Sequence, residues 1–192
     1  MSKKKDIIDA AISLFAQNGF SATPTTAISK KAGVAQGLIF HYFKTKEGIL
    51  AEIIAQLADK YISETEIIIE NSDNGLEAII NIIQFHFRFE NENTTELMVL
   101  LRDIPPVTNS HIIEASNIFN NRINRTIEQL KDCIKKGQED GSIRKNASSE
   151  SAFIIHSLLN GLSRLHFSIP SKLDYRATIF ETISFCRKNL EG

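Results

Sequence analysis

The stretch GFSATPTTAISKKAGVAQGLIFHYFKTKEGIL, residues 19–50, decides how the chain folds. Ile28 marks a short helix that ends at Gly33, and Ile39 and Phe43 mark a second short helix just after it. Two short helices joined by a tight turn form a helix-turn-helix, in which the second helix enters the major groove of DNA and the first crosses the backbone. The spacing therefore predicts a helix-turn-helix whose second helix has its polar residues facing outward.

Apolar residues recur at helical spacing along nearly the whole chain, and no strand-like alternation stands out. This pattern predicts an all-α fold of about nine helices. It divides into an N-terminal three-helix part, which contains the helix-turn-helix, over residues 1–47 and a longer helical part over residues 48–192. Lys3, Lys4 and Lys5 are expected to form a flexible, solvated end. Gly137 and Gly141 are expected to bracket a turn.

The composition is ordinary for a soluble globular protein, with 42% hydrophobic and 23% charged residues. No apolar run approaches the roughly 18 residues that cross a membrane, and the basic start lacks the apolar stretch of a signal peptide. We therefore expect a cytoplasmic protein with no membrane partner. Residues 1–60 hold eight Lys against five acidic residues, whereas residues 61–192 hold 14 basic against 18 acidic residues. The positive N-terminal third suits a partner that carries phosphates.

The N-terminal stretch closely resembles the TetR family of repressors. The matching elements are Ala11, Leu14-Phe15, Gly19-Phe20, Ala22-Thr23, Ile28, Ala32-Gly33-Val34, Gly37, His41-Tyr42-Phe43 and Lys46-Glu47. Beyond residue 60 the likeness is one of architecture only. The resemblance implies a transcriptional regulator, a repressor in the first instance, that binds palindromic double-stranded operator DNA as a homodimer and is released by a small, largely apolar effector. It also implies that residues 1–47 are the DNA-binding domain and that residues 48–192 are the effector-binding and dimerisation domain. Activation instead of repression stays open.

The resemblance also implies which side chains contact DNA. Phosphate contacts are implied for Thr25, Thr26, His41, Tyr42 and Lys46, base contacts for Gln36 and Leu38, and a close approach to the duplex for Gly37. A Gln side chain pairs best with adenine, and an apolar side chain suits the thymine methyl group. The family commonly has Tyr where Phe40 stands. A hydroxyl that would contact phosphate is therefore missing, and Phe40 is expected to pack against the protein instead.

A second candidate site lies among the middle helices, where aromatic, Met and Arg residues suit an apolar effector with a polar head group. Its predicted members are Phe85, Arg88, Phe89, Met98, Leu101, Arg102 and Phe119. A filled core with solvated arginines is the alternative for each of them. His86 is expected to be a core histidine with satisfied hydrogen bonds.

The last two helices, at about residues 149–168 and 172–190, carry more apolar positions than one core-facing stripe requires. The surplus predicts an intermolecular four-helix bundle, which would bring two recognition helices to two half-sites on one duplex. The predicted dimer interface comprises Phe153, Ile155, Leu158, Leu159, Leu162, Leu165, Ile179 and Ile183. Ordinary core burial is the alternative for part of this stripe.

Patterns for other chemistry are missing from the sequence. The five His include no HExxH, Cys133 and Cys186 form no CxxC, and there is no GxSxG and no phosphate-binding glycine loop. We therefore expect no catalytic residues, no metal, no cofactor and two buried thiols. Two alternatives stay open: a DNA-binding protein of the same fold without a small ligand, and a helical enzyme or binding module with an incidental helix-turn-helix.

Overall fold

A computed structural model describes residues 2–103, 113–169 and 174–192, with the backbone alone at residues 101–103 and 113–119. Over these ranges the chain forms nine α-helices, so the predicted all-α fold is confirmed. They are α1 (Lys3–Asn18), α2 (Thr25–Ala32), α3 (Gln36–Phe43), α4 (Lys46–Glu70), α5 (Gly75–Glu92), α6 (Thr94–Asp103), α7 (Ile113–Asp140), α8 (Ser151–Ser168) and α9 (Tyr175–Leu190). None of these described helices has an apolar stretch of the length that a bilayer demands.

Short polar side chains set where several helices begin. The first backbone N–H groups of a helix have no partner within the helix, and an oxygen from a side chain just before it satisfies one of them. Such bonds join Ser2 to the N–H of Lys5, Thr45 to that of Gly48, Asn74 to that of Glu77 and Asp174 to that of Ala177. These helix starts are therefore encoded locally in the sequence.

The expectation of a flexible N-terminal end is wrong, because Lys3, Lys4 and Lys5 form the first turn of α1. The Nζ of Lys5 lies 2.6 Å from a carboxylate oxygen of Asp9, one helical turn further on. The Nζ of Lys4 lies 2.7 Å from a carboxylate oxygen of Glu52 on α4. These acidic partners favour the helix from its first residue.

The expected turn at Gly137 is also wrong, because α7 continues through this residue to Asp140. Gly137 instead permits close packing against the start of α5. A Cβ atom added to Gly75 would lie 2.2 Å from the backbone nitrogen of Gly137, and one added to Gly137 would lie 2.6 Å from Cδ1 of Ile143. Both glycines are therefore explained by close packing and not by a turn.

The backbone divides into two compact units, Met1–Asp59 with Asn93–Asn121 and Lys60–Glu92 with Arg122–Gly192. The change from one unit to the other falls inside α4, so this helix contributes to both. The boundary at residue 47 remains a prediction about where the DNA-binding function ends.

The first unit is held together by an apolar core in which α1 packs against α2 and α6. The fully buried side chains include Ile7, Ala11 and Phe15 of α1, Ile28 of α2, Ile39 of α3, Ile49 of α4 and Val99 of α6. Burying each large aliphatic or aromatic side chain contributes about 1.5–3 kcal/mol. This core fixes the two short helices, which are too short to be stable alone.

The second unit has its own core, in which α5 packs against α8 and α9. Its members include Ile79, Ile83 and Phe87 of α5, Leu130 and Ile134 of α7, Ile155 and Leu159 of α8, and Cys186 and Leu190 of α9. Cys133 and Cys186 are free and buried, as predicted. Burial raises the pKa of both thiols to about 11, so they stay protonated at neutral pH.

Candidate nucleic-acid interface and effector region

The helix-turn-helix is formed as the sequence predicts. Gly33 follows α2 with φ 65° and ψ 38°, a left-handed conformation that suits glycine. Its N–H and that of Val34 bond back to the carbonyl of Ser29, which closes the turn. The chain then extends through Ala35 and enters α3 at Gln36. The geometry joins two short helices through a sharp bend of three residues.

The burial of two side chains fixes which face of α3 points outward. Ile39 and Phe43, four residues apart and therefore on one face, are buried in the first unit. Gly37 and His41 are exposed on the opposite face, Gln36 and Phe40 are exposed along its edge, and Lys44 is exposed just after the helix. The structure thus presents one stripe of α3 to solvent.

The predicted DNA contacts fall into two groups by exposure. Gln36, Gly37, His41, Tyr42 and Thr26 are exposed, whereas Thr25, Leu38 and Lys46 are half-buried. The rings of His41 and Tyr42 pack edge to face, with 5.1 Å between their centres. This contact orients both polar tips while leaving them accessible to solvent.

The start of α2 is suited to an anion. No side chain caps this end within the described residues, and the first turn contains no acidic residue. Thr25 and Thr26 supply hydroxyl groups there, and the helix dipole adds a partial positive charge. A phosphate would meet hydroxyl donors with no carboxylate in the same turn to repel it.

Lys46 makes strong contacts within the protein. Its Nζ donates to the carbonyl oxygen of Phe20 at 2.8 Å and to that of Ser21 at 3.3 Å, and it lies 4.4 Å from the centre of the Phe20 ring. A lysine ammonium group has three N–H donors, so these bonds leave one for a phosphate. Lys46 therefore fixes the turn between α1 and α2 in addition to its predicted phosphate contact.

The expectation that Phe40 packs against the protein is wrong. Its side chain is 47% exposed. Ile39 and Phe43 already fill the space between α3 and the core, and Phe40 projects from the helix about 100° away from Ile39. The apolar ring is left on the stripe that also contains Gln36 and Gly37.

The predicted effector residues are only partly brought together. Phe85 and Phe89 are buried in the second unit, with 5.4 Å between their ring centres. Arg88 is mostly exposed, pairs with Glu92 and lies over the ring of Phe85. Met98 belongs to the first unit and is exposed. The side chains of Leu101, Arg102 and Phe119 lie outside the described residues.

Sequence reasoning missed a buried polar cluster around His86, although it predicted that this histidine would be satisfied. The ring Nε2 lies 2.9 Å from Ser163 Oγ, and Nδ1 lies 3.1 Å from the Tyr61 hydroxyl. Ser163 donates its own proton to the carbonyl of Leu159, so its oxygen accepts from His86. Nε2 therefore carries a proton, and Nδ1 shares a hydrogen bond with the Tyr61 hydroxyl. One imidazole thus connects α4, α5 and α8.

Glu90, one turn after His86, is the second member of this cluster. Its Oε1 lies 3.5 Å from His86 Nε2, and its Oε2 accepts from the Tyr175 hydroxyl at 2.8 Å. Burial opposes ionisation of Glu90, but the hydrogen bond and charge of His86, helped by Ser163 and Tyr175, bring its pKa below the usual value. The only signal in the sequence is a His and a Glu four residues apart on a mostly apolar helix.

His156 on α8 lies close enough to this cluster to feel the charge of His86. Burial, together with that charge, lowers the pKa of His156 to about 4. The amide nitrogen of Asn160 lies 3.0 Å from His156 Nε2, which suits a neutral ring that accepts a hydrogen bond. The folded protein therefore keeps His156 neutral at ordinary pH.

The residues predicted for the dimer interface divide between the protomer core and its surface. Ile155 and Leu159 are buried in the core, and Leu158, Leu162, Ile179 and Ile183 are half-buried against it. Phe153 and Leu165 are exposed. The prediction missed further large apolar side chains that are exposed on the same two helices, namely Ile154, Phe180 and Phe185.

Comparisons with known proteins agree with this geometry. Residues 7–53 match the family of bacterial regulatory proteins, tetR family. The fatty acid metabolism regulator protein of Bacillus subtilis (strain 168) is 36% identical over 85 residues, which cover 44% of this chain and 44% of that regulator, less than half of its length. The HTH-type transcriptional repressor KstR2 of Mycolicibacterium smegmatis is 24% identical over 152 residues, which cover 74% of this chain and 68% of the repressor.

Among solved structures, the transcriptional regulator FadR from Bacillus subtilis in complex with stearoyl-CoA has a similar fold. The TM-score is 0.84 at 22% sequence identity, and the match covers 96% of this chain and 98% of that one. The left-handed turn and the outward face of α3 define a helix-turn-helix, the motif typical of DNA-binding regulators. The match of residues 7–53 to the TetR family agrees with the resemblance that the sequence predicted, and the relatives named here are regulators and not enzymes.

The double role of Lys46 can be tested with neutral substitutions. Lys46→Gln can still donate a hydrogen bond to the carbonyl of Phe20, whereas Lys46→Met cannot. We therefore expect the Gln variant to bind a selected operator several-fold more tightly than the Met variant. Both variants should flatten the dependence of affinity on salt by about one unit, because both lose one phosphate contact. Binding titrations at several salt concentrations measure both effects, and Lys145→Met, an exposed lysine of the second unit, is the control. Equal affinities of the Gln and Met variants would contradict a role in holding the turn.

The neutral state of His156 predicts a loss of stability in mild acid. In the unfolded chain the imidazole takes up a proton near its ordinary pKa of 6.5, whereas in the folded chain it resists protonation until the pH reaches about 4. The free energy of unfolding should therefore fall by up to about 2 kcal/mol as the pH decreases from about 7 to about 5. Urea unfolding at both values checks this, and His156→Gln should lose most of the pH dependence. His41→Gln, on the exposed face of α3, should retain it.

Proposed function

We propose that this protein is a homodimeric repressor that binds palindromic operator DNA through α3 and is released by a small, largely apolar effector. The observation that carries the proposal is the exposed stripe of α3, which is held outward by the burial of Ile39 and Phe43. Residues 1–47 would bind DNA, and residues 48–192 would bind the effector and the second subunit. We also propose that it acts in the cytoplasm, where an operator is accessible.

Gly37 gives independent support for DNA binding. A Cβ atom added there would meet no described atom within 4 Å, so packing within the described protein does not require a glycine. Glycine inside a helix is nevertheless less favourable than alanine by about 1 kcal/mol. A partner that approaches the helix backbone closely would account for this residue, and the floor of a major groove is such a partner.

In this proposal each exposed group has a role that its chemistry allows. Gln36, at the start of α3, would read a base edge through its amide. The remaining contacts are Thr25, Thr26, His41, Tyr42 and Lys46 to phosphates and Leu38 to a thymine methyl group. The half-buried position of Leu38 limits its reach, so it is the weakest of these assignments.

Dimerisation is supported by the apolar side chains on the outer surface of α8 and α9. Phe153 is 59% exposed and Phe180 is 69% exposed. Ile154, Leu165 and Phe185 extend the apolar surface on the same helices. Exposed apolar residues of this size and number on two helices favour burial against another protein. A second copy of the chain would also supply the second recognition helix that a palindromic operator needs.

The effector is proposed to carry a long apolar chain. The aromatic side chains of Tyr61, Phe85 and Phe89 lie together in the second unit, with 5.2 Å between the ring centres of Tyr61 and each of the other two. Because the similar regulator FadR was solved with stearoyl-CoA, a long-chain acyl-CoA is the first effector to test. Release would follow if the effector binds one arrangement of α4 more tightly than the DNA-bound arrangement.

DNA binding can be tested by selecting bound duplexes from a random pool and then comparing two variants. Gln36→Ala should relax the preference for one base pair in each half-site, at a cost of about 1–3 kcal/mol. Gly37→Ala should weaken binding to every selected duplex while leaving the melting temperature unchanged or higher, because alanine favours the helix. The idea fails if wild type binds no duplex, or if Gly37→Ala binds DNA as tightly as wild type.

Effector release can be tested by adding stearoyl-CoA to the complex with the selected operator. We expect the operator affinity to fall about tenfold or more, which is within the usual range of allosteric coupling. Coenzyme A without an acyl chain is the control and should have little effect, since the chain would supply most of the apolar contact. Unchanged affinity with stearoyl-CoA would argue against an acyl effector without affecting the proposal of DNA binding.

A further inference from the structure

The outward face of α3 contains one side chain that polar DNA contacts do not explain. Gln36, Gly37, Phe40 and His41 follow one another along this face, and Phe40 is the large apolar member. Its ring is 47% exposed, and none of the described ring pairs includes it. The ring adds little to the stability of the described core.

The position of Phe40 is fixed by the same burial that orients the helix. Residues four apart on a helix lie on one face, separated by about 6 Å along the axis. Phe40 therefore lies on the same face as Gln36 and one turn further along α3. Gly37 lies between them and leaves that part of the face without a side chain.

The chemistry of a phenyl ring restricts what it can recognise in a duplex. It has no group that can donate a hydrogen bond to a phosphate, and it lacks the hydroxyl of tyrosine. In the major groove, the C5-methyl group of thymine is the base-edge feature that attracts an apolar side chain. An axial separation of about 6 Å corresponds to roughly two base pairs at 3.4 Å each.

We infer that Phe40 is a specificity-determining residue that contacts a thymine methyl group within about two base pairs of the base read by Gln36. The inference rests on the proposed binding of DNA by α3. It adds a thymine preference that neither a phosphate contact nor the amide of Gln36 would produce.

The test removes the methyl group from the DNA and the ring from the protein. In a duplex selected by the wild-type protein, each thymine is replaced in turn by deoxyuridine, which lacks only the C5-methyl group. Wild type should lose about fourfold in affinity at the position that Phe40 contacts in each half-site, the value expected for one buried methyl group. Phe40→Ala should bind the thymine duplex more weakly and lose its sensitivity to deoxyuridine at that position. Phe40→Leu, which keeps an apolar group, should retain part of the sensitivity to deoxyuridine. A thymine contacted by Leu38 would be a second sensitive position, and Phe40→Ala should leave its sensitivity unchanged.

Tyr42→Ala is the matched control, because Tyr42 is another exposed aromatic residue of α3 that is proposed to contact phosphate. It should weaken binding to thymine and deoxyuridine duplexes by the same factor. The inference is overturned if Phe40→Ala keeps the wild-type response to deoxyuridine, since the ring would then contact the sugar-phosphate backbone or nothing. The inference also fails if wild type binds no duplex, and the proposed function then fails with it. An unchanged deoxyuridine response in Phe40→Ala would overturn only the inference and leave DNA binding intact.

Discussion

The exposed surface of the helix-turn-helix depends on the burial of Ile39 and Phe43. These two side chains attach an eight-residue helix to a core built largely from α1 and α4, and they set its rotation about its own axis. Because adjacent residues of a helix differ by about 100°, fixing one face fixes all the others. The left-handed turn at Gly33 sets the direction in which the helix leaves α2. The exposed side chains of α3 therefore need no tertiary contacts of their own to point away from the core.

The second unit uses polar contacts as well as apolar burial. His86 donates a hydrogen bond to Ser163 through Nε2 and shares one with Tyr61 through Nδ1, so three helices contact one ring. Buried polar groups destabilise a protein when they are unsatisfied and specify one arrangement when they are satisfied. The hydroxyl of Tyr175 extends the cluster to α9 through Glu90. This combination selects one packing of helices whose apolar faces alone would permit several.

The sequence predicts features that depend on short-range spacing better than those that depend on distant partners. The turn at Gly33 and the buried face with Ile39 follow from the helical period and from local turn chemistry. The bonds from Lys46 to the turn after α1 join residues more than 20 positions apart, and the helical spacing of apolar residues does not predict them. Glu90 is recognisable as a buried acid only once α5, α8 and α9 are packed together. Apolarity alone places Phe40 in the interior, whereas its position in the helical period places it outside.

The unbroken course of α4 has a mechanical consequence. At 25 residues it is about 37 Å long, and it begins three residues after α3 ends and extends past Tyr61. The helix contains no proline, and its backbone hydrogen bonds resist bending. When a continuous helix tilts at one end, the sideways displacement of a residue increases with its distance from that end. Lys46 lies about 22 Å along this helix from Tyr61, so a tilt of about 5° at Tyr61 would displace Lys46 by about 2 Å.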